Sequence, residues 1–300
     1  MESGDGDAGA VVGDDPLLPL VLTVLEHHGY TCTVISANEV EVSRPDRDDG
    51  NRNRIMLTNL RQWTALEPRD QWPALVADFL GSLIAAAEAD QDDRLDLDDY
   101  AAVRSLLRMR LYSDEIGDEL DIVHRPAAPG LAEVVVIDKP TTLMMLTTEI
   151  AKGWPVDRDE LFRVARENVR SDGPLDVDVQ PAGETRLAAL YGDTAYVTGH
   201  ALWVGDYPVT GPYGTLLAVP NQSVVHAAPL DRAFPHAMNA LVGRAWEEYL
   251  QGPRSVRPHI YRWHEGTLTL AGRVEQSAEG SLAVHITPEF QDCLEELIRG

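Results

Sequence analysis

Five times along this 300-residue chain, two short runs of β-forming residues meet across a turn dipeptide. TCTVIS (31–36) and EVEVS (39–43) flank Ala37-Asn38, and EVVVIDK (133–139) and TLMMLT (142–147) flank Pro140-Thr141. TRLAALY (185–191) leads through Gly192-Asp193 to AYVTG (195–199). GTLLAVP (214–220) and SVVHAAPL (223–230) flank Asn221-Gln222, and HIYRWH (259–264) and TLTLAG (267–272) flank Glu265-Gly266. A connection this short can join only antiparallel neighbours, because a parallel crossover needs a dozen residues or more. The chain is therefore committed to antiparallel sheets. RIMLTNL (54–60) extends the first hairpin to three strands, while LDVDVQ (175–180) and LAVHI (282–286) supply further ones.

Between these runs the apolar period changes from 2 to 3.6. Pro16 to His28 is helical and stops before Gly29, a residue suited to the position just past a helix end. Gln71 to Ala89 is a second amphipathic helix, and 99–110 reads as a linker helix. Asp157 opens a helix to Asn168 as its N-cap, with Glu160 three residues on. Asp231 to Leu250 and Pro288 to Arg299 complete the set. The fold class expected is α+β: mostly antiparallel sheets with helices packed on one face, in two lobes. A helix–three strands–helix lobe with its linker helix spans 16–112, and a second α+β lobe spans 113–300. Residues 1–15, acidic and Gly-rich, read as a disordered tail.

The formal net charge is −24, and it is uneven. Residues 1–150 hold 29 acids against 12 bases, and residues 151–300 hold 20 against 13. Such a field repels phosphate backbones, so nucleic acid is not an expected partner. It favours a basic protein partner. The acids of DQDDRLDLDDY concentrate that charge, making Asp92, Asp93, Asp96, Asp98 and Asp99 the candidate contact patch. They do not form a calcium loop: a frame from Asp90 meets Leu95 and Ala101 where Gly and Glu are required, and a frame from Asp92 meets Leu97 and Val103. There is no basic n-region or apolar h-region at the N-terminus, and no apolar run long enough for a bilayer, so no membrane association and a cytoplasmic location are expected. Cys32 and Cys293, far apart, read as reduced core thiols.

Catalytic signatures are missing. The chain contains no GxSxG elbow, no P-loop, no GxGxxG after a strand and no HExxH. No catalytic, metal or cofactor residue is therefore assigned. One acid-free stretch, GPRSVRPHIYRWH, gathers Arg254, Arg257, Arg262 and His264 as a candidate anion or partner contact. Strand alternation places Ile260, Arg262 and His264 on one face, with His259, Tyr261 and Trp263 on the other.

The segments IDKPTTLMMLTTEIAKGWPVDRDELFRVARENVRS (137–171), GTLLAVPNQSVVHAAPL (214–230) and HIYRWHEGTL (259–268) together resemble the YtpQ-like family of bacterial proteins, a conserved domain of unknown function. The resemblance runs diffusely over residues 16–272. Ser223 and Glu265 stand where that family often has Asp. It implies a cytosolic α+β protein and carries over no catalytic residue. The expected function is a non-enzymatic binding protein, an adaptor, chaperone-like or immunity-type factor engaging a basic partner. Two alternatives stand beside it. One is an enzyme with a dispersed site drawn from His200, His226, Arg262 and His264. The other is a small-ligand sensor with a pocket between the lobes, lined by Trp203, Tyr207, Tyr213 and Trp246.

Overall fold

Leu18, Val21 and Leu25 recur at helical spacing and are fully buried, which fixes the first helix, α1 (Leu18–His27). It ends as its sequence dictates: Gly29 adopts φ +80°, and the Tyr30 N–H returns to the Leu25 carbonyl. These coordinates are a computed structural model describing residues 15–45, 53–92, 95–140, 142–251, 254–277 and 280–299. The chain divides into two units, 1–93 with 251–253, and 94–250 with 254–300. Residues 1–14 of the expected tail lie outside the described residues. So do Asp93 and the Asp92 side chain of the acidic patch.

In the first unit β1 (Thr31–Ser36), β2 (Glu39–Ser43) and β3 (Asn53–Met56) form an antiparallel sheet in that order. Val34 faces Val40 and Cys32 faces Val42, so one side of the sheet is apolar. That side meets α1 and the long helix that follows, through Val76, Leu80 and Ile84. The strand expected over 54–60 is corrected. It stops at Met56, and Thr58–Leu66 forms helix α2 before α3 (Trp72–Asp92). Leu57, Leu60 and Thr64 share a buried helical face, and the Thr64 hydroxyl donates to the Leu60 carbonyl. The β-prone Ile55-Met56-Leu57 at its start disguised that period.

The second unit is built on two sheets. β4 (Leu107–Ser113), β5 (His124–Ala128), β6 (Leu131–Asp138) and β7 (Leu143–Met145) form the smaller, with order β4-β6-β5 and β7 also on β6. Helix α4 (Arg158–Ser171) packs against β4 and β6. The larger sheet contains β8 (Asp176–Ala182), β9 (Thr185–Tyr191), β10 (Thr215–Asn221), β11 (Val224–Pro229), β12 (Ser255–His264), β13 (Thr267–Gln276) and β14 (Leu282–Ile286). Its order is β14-β13-β12-β10-β11-β9-β8, antiparallel throughout. Alternation sorts its residues. Leu216, Ala218, Ala228 and Ile260 meet α5 (Phe234–Gln251) and α6 (Pro288–Arg299). Leu217, Val219, Ala227 and Tyr261 instead join the core shared with the smaller sheet. The α+β class and antiparallel sheets are as expected, with α5 and α6 on one face of the large sheet.

Two further expectations are corrected. Residues 99–110 are not one helix: a single turn (Tyr100–Val103) leads through a 3-10 turn into β4. Leu107, Met109 and Leu111 alternate inward with period 2, and β4 belongs to the second unit, so the division falls at 93/94 rather than near 112. AYVTG is not a strand. Val197–Asp206 is 3-10 helix, because β9 already pairs with β8 and β11 on its two sides.

Polar groups join these layers. The edge of β4 is closed by side chains: Thr198 Oγ1 accepts from the Leu111 N–H at 2.9 Å, and Gln222 Nε2 donates to the Leu111 carbonyl at 2.7 Å. Gln222 Oε1 also accepts from Arg110 Nε at 3.0 Å. Glu133, wholly buried on β6, accepts from Arg125 Nε at 2.7 Å and from Arg166 of α4 at 2.6 Å.

Candidate functional site

The 3-10 segment carries a kink at Trp203 (φ −135°, ψ 36°), which turns the following residues back toward its start. His200, Trp203 and Tyr207 thereby converge. Trp203 Nε1 donates to His200 Nδ1 at 3.2 Å, and the Tyr207 hydroxyl lies 2.6 Å from the same nitrogen. An indole N–H can only donate, so Nδ1 must be the unprotonated nitrogen and the ring proton resides on Nε2. The Tyr207 oxygen accepts from the Leu175 N–H at 2.9 Å, leaving its own proton for Nδ1. Burial, reinforced by the charge of Arg170, pushes the His200 pKa down to about 4. The ring is thus neutral near pH 7 and held in one tautomer.

His200 lines two adjoining cavities. The larger, about 470 Å³, is bounded by Arg170, Gly173, Pro174, Leu175, Trp203, Asp206, Tyr207 and Pro208. The smaller, about 190 Å³, adds Val169, Asp172, Asp176, Gly192, Asp193 and Thr194. Arg170 comes from the last turn of α4, where the helix dipole favours a cation. Its guanidinium sits 4.9 Å from the Trp203 ring centre and 3.2 Å from Asp206. Arg108 grips Asp172 at 2.7 and 3.0 Å, anchoring the end of α4 to β4.

The chemistry open to this arrangement is narrow. The lone pair on Nδ1 is occupied by two donors, so His200 has none to offer a substrate and is no general base. Its Nε2–H is a donor. With Arg170 nearby and aromatic and proline walls around, the cleft suits a small ligand that presents an oxygen acceptor. Among the described residues no group of three or more His, Cys, Asp or Glu could hold a metal ion.

The residues singled out in the sequence fall as follows. Arg257 pairs with Glu115 at 2.6 Å and with Asp114 at 3.2 Å, beside His259 and Tyr261 near Gly130. Arg262 lies on the other face of β12, close enough to α6 for its charge to act on Cys293, and its Nε donates to the Tyr213 carbonyl. His264 packs beside Gly214, and Arg254 opens β12 with φ +65°. These four do not form one site: the sheet separates Arg257 from Arg262. Of the acidic patch, Asp96 accepts from the Asp98 N–H, and Asp99 caps the turn at Ala101, so both serve local backbone geometry. His226 Nε2 lies 2.9 Å from Glu248 Oε2, but neither atom is aimed for a hydrogen bond, so this is proximity rather than a bond. Tyr213 and Trp246 belong to the core under α5 and α6, away from Trp203 and Tyr207.

Trp203 and Tyr207 do meet His200, within the second unit. Arg170 and the Leu175 backbone were not foreseen. The Gly173-Pro174 and Tyr207-Pro208 steps, which rim the larger cavity, are the local trace in the sequence of the part of the cleft that was not foreseen. No described helix is long and apolar enough to cross a membrane. Comparison with protein-family models, curated proteins and solved structures returned no match.

Proposed function

We propose that this chain is a non-enzymatic binding protein whose second unit holds a small ligand carrying a carbonyl, carboxylate or phosphate oxygen. The observation that carries this reading is the donor-locked His200 in the wall of a 470 Å³ cavity. A neutral imidazole fixed as a donor recognises an acceptor without exchanging protons with it. Arg170 adds charge, and Trp203, Tyr207 and the prolines add apolar contact. Net charge alone supports a basic protein partner, and the Asp96 and Asp99 carboxylates are committed elsewhere. Kinship with the YtpQ-like family, resting on 137–171, 214–230 and 259–268, is likewise a proposal and names no ligand.

The test is thermal unfolding of the whole chain against a panel of small carboxylates, phosphates and amides. A ligand at a hundred times its Kd adds about 2.7 kcal/mol. That corresponds to a rise of roughly 5–10 °C for a unit of this size. The rise should vanish in His200→Gln and shrink at least fivefold in affinity in Arg170→Gln, an exposed change that spares the core. A shift of equal size in both variants, or no shift with any class, would overturn the reading.

A further inference from the structure

We infer that a second cavity, between the one-turn helix Thr148–Lys152 and the start of α4, binds a small amphipathic carboxylate. It measures about 250 Å³ and shares no residue with the His200 cleft. Its apolar lining is Val123, Ala151, Val156 and Leu161, of which Val123 and Leu161 are core residues. Thr148, Lys152 and Arg158 complete the wall.

Those two cations set the charge of the hollow, in a chain that has 49 acids for 25 bases. Neither Lys152 nor Arg158 has an ion pair or side-chain hydrogen bond among the described residues. Of the acids close by in sequence, Glu149 is exposed on the one-turn helix and four others are engaged elsewhere. Asp157 caps α4 by accepting from the Glu160 N–H at 2.8 Å, Asp159 lies 3.6 Å from Arg125, Glu160 is held by Arg163, and Asp121 accepts from the Thr148 hydroxyl. Two uncommitted positive charges beside an apolar hollow match a ligand with an anionic head and a short apolar tail. The volume is roughly that of eight water molecules in the liquid, which fits a chain of about six carbons with its carboxylate.

The experiment is a titration of the full chain, followed by backbone amide NMR, with three probes: hexanoate, acetate and hexylamine. Each buried methylene is worth up to roughly fourfold in affinity. Hexanoate should therefore bind at least tenfold more tightly than acetate, with hexylamine not binding. Shifts should map to Val123, Ala151 and Val156. The double variant Lys152→Gln/Arg158→Gln, both exposed positions, should weaken hexanoate at least tenfold without changing the spectrum elsewhere. Ala151→Leu should block the hollow and weaken hexanoate while leaving the weak acetate response intact. Equal binding of acetate and hexanoate, binding of hexylamine, no hexanoate binding, or shifts confined to the His200 cleft would each overturn the inference.

Discussion

Lowering the pH from 7.5 to 5.0 should remove about 2 kcal/mol of stability through His200 alone. In the folded protein burial holds the imidazole neutral down to about pH 4. In the unfolded chain it takes a proton near its ordinary value of about 6.5. Below pH 6.5 the unfolded state therefore binds more protons than the folded one, and acid favours unfolding. The stabilisation is whole above that pH, falls as pH drops through the window from 6.5 to 4, and is exhausted beneath it. At pH 5.0 the ratio of the two binding polynomials is about thirty, or ~2 kcal/mol; at 7.5 it is near unity. The assay is urea unfolding of wild type and His200→Gln at both pH values. Other titrating groups act in both proteins, and the intrinsic cost of the substitution does not depend on pH. The stability gap between the two should therefore narrow by ~2 kcal/mol at pH 5.0. This range stays above the sequence pI of about 4.6, so the net charge keeps its sign. A gap that is the same at pH 7.5 and 5.0 would refute the assignment of a buried neutral histidine. An Nε2–H tautomer that does not titrate above pH 5 by NMR would support it independently.

Other consequences follow from the polar joints. Glu133→Gln removes the charge shared by Arg125 and Arg166. Because those arginines are about a third exposed and can turn to water, the loss should be about 2–3 kcal/mol by urea unfolding, below the usual cost of breaking a fully buried pair. Gln222→Ala strips partners from Arg110 Nε and the Leu111 carbonyl at a buried position, and should cost about 2–4 kcal/mol, with amide exchange accelerating along β4.

Much of the architecture was legible locally. Several hairpins were specified by their own flanking periods: Glu265 and Gly266 both adopt positive φ at the β12–β13 turn, as a tight twisted hairpin requires, whereas the β5–β6 and β8–β9 hairpins went unread. Asp157 caps α4 where the sequence placed it. Segments read wrongly were those whose local signal conflicted with their neighbours. Arg108 and Arg110 alternate with Leu107, Met109 and Leu111 as a strand requires, but LLRMRL fits a helix as well until β6 offers a hydrogen-bonded edge. AYVTG has β-prone residues but no free strand edge to join.

The candidate site was legible only in fragments. His200 was assigned to one role and Trp203 with Tyr207 to another, and the three are joined by a kink whose φ and ψ no motif announces. Arg170 looked like one more helix-surface arginine. The sequence by itself determined antiparallel pairing, helix ends and a strongly acidic surface, because turn chemistry, capping and charge act within a few residues. Tertiary structure alone decided which arginines meet carboxylates, which are left beside an apolar hollow, and which nitrogen of His200 holds its proton. Those outcomes depend on burial and on partners brought from distant segments: Leu175 and Arg170 reach the His200 cleft only because α4 and the large sheet are packed into one core.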